Sequence, residues 1–151
     1  MTLRVNLAGM VGPELARYEV SRITEADMPE NKRADLAYAK DQMQLPMEVK
    51  GQWHKDVWDA AMGQLDLQYL IDWRSEQRGI YCVLWFGDQP SATGRRLRVH
   101  PDALPASTTP QQMREILIER IPEARRPLID VVVLDLSSGR PKDKKAKNAK
   151  K

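Results

Sequence analysis

Cysteine occurs once in this chain, at Cys82, and histidine twice, at His54 and His100. A single cysteine inside an apolar stretch excludes a disulfide framework and a cysteine zinc site. The two histidines lie too far apart in sequence to make a recognisable zinc pair. What remains for metal chemistry is oxygen ligation, which suits hard cations such as Mg2+ or Mn2+. Long apolar runs are missing too: none approaches a bilayer span, and the N-terminus lacks the apolar core of a signal peptide. No internal repeat is visible. Together these absences predict a cytoplasmic setting with no membrane partner.

What is present is a balanced globular composition. Of 151 residues, 42% are hydrophobic and 30% charged, which suits one domain with one core. The net charge of +3 hides a local excess, because the stretch from Lys142 to Lys151 carries six lysines against one aspartate. That stretch has no apolar side chain larger than alanine and cannot bury itself. We therefore expect a folded domain over residues 1–141 and a disordered basic tail over 142–151. The tail reads either as a solvated end or as an arm that binds phosphates by counterion release.

The chain is organised around Arg33–Ala39 and Leu45–Trp53, which read as two strands joined by a polar turn at residues 40–42. If the hairpin turns between Asp41 and Gln42, the register sets Asp35 directly across from Glu48. Side chains alternate along a strand, so Glu48 and Lys50 share a face. Two carboxylates and a lysine then converge on one patch, an arrangement that suits a divalent cation and an activated water. The apolar Leu45, Met47 and Val49 around them predict a central strand. The competing reading is a surface hairpin with an ordinary Glu–Lys pair.

Asp35 followed by Glu48-Val49-Lys50 resembles the PD-(D/E)XK nuclease superfamily, whose fold is restriction-endonuclease-like. Alanine, not proline, precedes Asp35. The resemblance spans roughly residues 33 to 86 and implies that Asp35 and Glu48 bind Mg2+ or Mn2+, with the Val49 carbonyl as an extra ligand. It also implies that Lys50 lies beside the attacking water. Gln64 matches the branch whose next helix carries a glutamine; by its residues alone Gln64 is equally an exposed helix residue. In exonuclease-type members the motif is Gln-x-x-x-Tyr, and Tyr69 stands one residue too far on to fit it. The resemblance implies an α/β fold, a mixed central sheet of about four to five strands flanked by helices.

The rest of the chain fits that order of elements. Residues 3–8 suggest a short strand, and Glu14–Arg17 a helical turn after Gly12 and Pro13; this abbreviated start predicts either a short opening helix or a domain of a larger protein. Tyr18–Ile23 alternates apolar and polar residues and predicts the first strand, with a loop from Thr24 to Lys32. His54–Trp73 predicts a helix whose inner face carries Val57, Trp58, Ala61, Leu65, Tyr69 and Trp73. Gly79–Phe86 is continuously apolar, as in a strand covered on both faces. After a long linker over 87–109, Thr108 or Thr109 caps a helix over Gln111–Arg120, and Leu128–Leu136 is the last strand.

The expected activity is metal-dependent hydrolysis of phosphodiester bonds in DNA, with RNA left open, by Asp35, Glu48, Lys50 and Gln64. Candidate contacts to nucleic acid are Arg33, His54 and the linker cluster Arg95, Arg96 and Arg98. The bland readings are a capping histidine and a solvated loop. Other domains or subunits of a defence or mobile-element system, and a homodimer, are the further partners considered. The alternative is a catalytically inactive nucleic-acid-binding or assembly module of the same fold, although such relatives usually lose one of the three charged residues.

Overall fold

The computed structural model describes residues 13–28, 32–87, 96–100 and 109–137. Five strands form one sheet in chain order: β1 (Ser21–Met28), β2 (Lys32–Lys40), β3 (Met43–Gly51), β4 (Gly79–Trp85) and β5 (Ile129–Asp135). The pairs β1–β2 and β2–β3 are antiparallel, whereas β3–β4 and β4–β5 are parallel. Parallel neighbours need long crossovers, and these carry the helices. Between β3 and β4 lie a π-helix (Ala61–Tyr69) and a 3-10 turn (Trp73–Ser75). Between β4 and β5 lie α1 (Pro110–Glu119) and a 3-10 segment (Glu123–Leu128). The result is an α/β architecture, a mixed five-stranded sheet flanked by helices, as the sequence predicts.

The hairpin falls where the alternation places it. Lys40 pairs with Met43 around a two-residue turn at Asp41 and Gln42, and Leu36 pairs with Met47. Asp41 takes φ 52°, the left-handed region that primed hairpin turns require and that aspartate tolerates. Pro46 sits across from Ala37, one residue before β3 begins to pair with β4 at Met47 and Ile80. Its missing N–H therefore removes no ladder bond.

Two expectations are corrected. The first strand starts at Ser21 rather than Tyr18, which lies in a turn and is exposed, and it continues through Thr24–Met28, the expected loop. Ala26 and Met28 are buried, and they pair with Ala34 and Lys32. Long-range pairing overrides the local polarity there. The expected helix over His54–Trp73 is also shorter: residues 55–59 are turns, and the wound part is a π-helix with the Leu70 N–H bonded to the Leu65 carbonyl at 3.1 Å. Val57, Trp58, Ala61, Leu65 and Tyr69 are buried as predicted, but Trp73 is 73% exposed.

The second helix is close to expectation. Thr109 caps α1 through its side chain, which accepts the Gln112 N–H at 3.1 Å, and Pro110 occupies the first turn. Met113 and Leu117 point into the core that Leu65, Tyr69, Tyr81, Val83 and Trp85 share. Leu36, Met47, Val49, Cys82 and Leu84 form a second cluster on the opposite face of the sheet. β4 is thus buried on both faces. Residues 13–16 make one helical turn; the suggested strand over 3–8 and the basic tail over 142–151 lie outside the described residues. Among the described residues, no helix is long and apolar enough to cross a membrane.

Candidate active site

The site starts from an interruption in the β2–β3 ladder. Counting from the closing pair Lys40 and Met43, hydrogen-bonded positions recur at every second residue: 38 with 45, 36 with 47, then 34 with 49. The pairing ends at Leu36 and Met47. Beyond it, the Val49 N–H that would meet the Ala34 carbonyl donates instead to Asp35 Oδ2, at 3.0 Å. The Asp35 side chain has replaced a rung of the ladder. Because N–H and C=O of such a residue point the same way, the Val49 carbonyl also turns toward β2 at this opening.

Glu48 and Lys50 occupy the other side chain direction of β3, opposite Tyr81 and Val83, on the face covered by the helices. Lys50 Nζ lies 2.5 Å from Glu48 Oε1, and both side chains are almost sealed, at 6% and 1% exposure. Beyond Lys50 and a contact from Tyr69, neither carboxylate oxygen of Glu48 has a well-directed hydrogen-bond partner. Burial pushes the Glu48 carboxyl above its ordinary range; the contact with Lys50 opposes this, and the Asp35 carboxylate adds to it. A buried carboxylate short of donors beside a second carboxylate is a place where a cation would lower the energy.

The donor set decides which cation. Among the described residues no group of three or more histidine, cysteine, aspartate or glutamate side chains could hold a metal. Two carboxylates and a main-chain carbonyl fit Mg2+ or Mn2+, which bind through one or two carboxylates and keep the remaining positions for water and phosphate. The set does not fit a zinc site, which wants nitrogen or sulfur donors.

The structure brings one unpredicted residue to this group. The Tyr69 hydroxyl donates to the Arg33 carbonyl at 2.7 Å and receives the Gln64 amide at 3.4 Å. Desolvation, followed by the charge of Glu48, raises its pKa to about 12, so the phenol keeps its proton. On a 3.6-residue helix Gln64 and Tyr69 would point roughly 140° apart. The π-helix, which bonds residues five apart, sets them side by side. The five-residue spacing that disqualified Tyr69 from Gln-x-x-x-Tyr is absorbed by the winding. Hydrophobic periodicity shows that a helix exists but not how it is wound, so only the Gln64–Tyr69 pair itself could have hinted at this.

The other predicted residues scatter. The Arg33 side chain points away to Asp27 and Glu25 on β1, at 3.4 and 3.8 Å. His54 is a turn residue whose Nδ1 accepts the Asp56 N–H at 3.2 Å, the capping arrangement expected of a lone histidine. Trp58 is core, with its indole N–H donating to the Arg98 carbonyl at 2.9 Å. Arg96 and Arg98 are exposed, and Arg95 lies outside the described residues. A groove of about 460 Å³ opens elsewhere, between Asp66, Trp73, Gln77 and Arg125, and shares no residue with the Asp35 group. Its signal in the sequence was hidden because Trp73 falls at core spacing.

Against family models, curated proteins and solved structures, the chain gives no match. The class that fold and site define is therefore an α/β protein with a paired-carboxylate and lysine centre on the central strand of a mixed sheet.

Proposed function

We propose that this protein is a metal-dependent nuclease of the restriction-endonuclease-like, PD-(D/E)XK type, which hydrolyses phosphodiester bonds in DNA. The observation that supports it is the junction of Asp35, Glu48 and Lys50 at the broken rung, with the buried Glu48 carboxylate held chiefly by Lys50. Asp35, Glu48 and the Val49 carbonyl would hold Mg2+ or Mn2+, which supplies charge neutralisation at the scissile phosphate and a more acidic water. The chain's own residues do the rest. Lys50 offers a cation where charge develops on the phosphoryl oxygens. The Val49 N–H fixes Asp35, and Tyr69 holds the backbone of β2 at Arg33, two residues before it. Such positioning keeps the reacting groups within near-attack geometry.

A specific observation favours a second reading, the catalytically inactive binding or assembly module. Glu48 and Lys50 close on each other and are nearly sealed, as a structural ion pair would be. Cleavage separates the two. With Mg2+ or Mn2+, purified protein should nick plasmid and cut linear DNA, and EDTA should abolish this. Glu48→Gln and Lys50→Ala should each lose about 10²-fold or more in rate while remaining folded. Robust cutting in EDTA, or parental rates in both variants, would sink the nuclease reading.

A further inference from the structure

Several arginines among the described residues pair with carboxylates, and Arg78, Arg114 and Arg126 donate to backbone carbonyls instead. Arg33 pairs with Asp27, Arg74 with Asp72, Arg120 with Asp59 and Arg125 with Asp66. Arg96 and Arg98 stand apart: both are exposed, and neither meets a carboxylate among the described residues. The backbone at Arg98 is nevertheless held on both sides. The Arg98 N–H donates to the Gln52 carbonyl at 2.8 Å, and the Arg98 carbonyl accepts the Trp58 indole N–H at 2.9 Å. Leu97 packs on the helix-covered core, and His100 is buried edge-on against Trp58 with ring centroids 4.8 Å apart. The anchor on the other side is equally built. Gln52 is buried; its side chain accepts the Phe86 N–H at 2.5 Å and donates to the Gly87 carbonyl at 2.7 Å.

We infer that residues 96–100 form a fixed strap presenting Arg96 and Arg98 as a binding site for the sugar-phosphate backbone of a nucleic-acid strand. Three features support this ligand. Two guanidinium groups without a carboxylate partner, one on an anchored backbone, suit bidentate contact with phosphate. The strap crosses the carboxyl end of β3, on the face that carries Glu48 and Lys50. Gln52, its anchor, lies just past the end of β3, two residues after Lys50, so a backbone held at the strap adjoins the strand end that carries the charged group. The inference deepens the nuclease reading and rests on it for the choice of polymer.

Binding measured in EDTA keeps the two separable. Fluorescence anisotropy of the full chain with a short labelled DNA duplex, its single strand and the matching RNA is followed across a salt series. R96A/R98A should bind the preferred polymer about 10-fold or more weakly at low salt. Its slope of log affinity against log salt should be shallower by about 1.4 to 1.8, at about 0.7 per phosphate lost on a single strand and about 0.9 on duplex DNA. R96K/R98K should keep most of the slope, and R17A, which removes an exposed paired arginine, should match the parent. A parental slope in R96A/R98A overturns the strap. So does loss of slope in R96K/R98K, or parental binding to phosphatidylserine vesicles as tight as to any nucleic acid. A parent that fails to cut yet shows the slope change retains the strap and loses the nuclease reading; a parent that cuts with the slope unchanged does the reverse.

Discussion

Glu48 sits in electrostatic conflict, a carboxylate at 1% exposure with one ammonium contact and a second carboxylate nearby. Its folded-state pKa is raised, chiefly by desolvation. A raised acid pKa means that the folded state binds a proton more tightly than the unfolded chain. The stability linked to that proton is fully present below the ordinary carboxyl range and is lost as pH rises through the folded pKa. The amide that Glu48→Gln introduces has no such proton. In EDTA, the difference in unfolding free energy between Glu48→Gln and parent should therefore shift in the variant's favour as pH rises, then level off. Urea denaturation from acid to neutral pH checks this. A difference that shifts the other way would mean that the attraction of Lys50 outweighs burial. The alternation of Glu48 and Lys50 was legible in the sequence, since the period of a strand is fixed. Their near-total burial was not, because it depends on the helices that close over the sheet.

At the scale of elements, the hairpin was readable for a simple reason: a polar turn and a two-residue period fix its register. From Lys40 and Met43 the pairing arithmetic leads straight to Asp35 and Glu48. β4 was readable by its unbroken apolar run, which only a strand buried on both faces needs. The crossover from β3 to β4 was not. Its apolar spacing fits a helix, but the winding follows from tertiary contacts, among them Tyr69 with Arg33 and Asp66 with Arg125. This makes a test of the π-helix possible. Leu67 is 68% exposed, and deleting it places Gln64 and Tyr69 four apart, as an ordinary helix would want them. The deletion should leave stability within about 1 kcal/mol of the parent, because the winding tightens without moving the buried side chains across the sheet. Deleting the exposed Glu115 from α1 should cost far more, since it rotates Leu117 off the core by about 100°. Melting both deletions side by side decides it; equal losses would show that the π-helix is not a one-residue insertion.

At the scale of the whole molecule, β3 is the strand where the sheet changes sense, antiparallel to β2 and parallel to β4. The ladder breaks on its β2 side at Asp35, while its parallel side stays paired through Gly51 and Leu84. Asp35, Glu48 and Lys50 all lie at that break in the sheet, so a cation bound there should couple to the global fold. Mg2+ that binds only the folded state stabilises it by about 2.7 kcal/mol at 100 times its Kd. For a chain of this size that is a rise of roughly 5–10 °C in Tm. Glu48→Gln should show a much smaller rise over the same titration, because one of the two carboxylates is gone. Scanning calorimetry of parent and variant, each titrated with Mg2+ from an EDTA-treated start, measures it without any cleavage. An equal rise in both would place Mg2+ binding away from Glu48 and leave the buried pair with Lys50 a structural feature of the central strand.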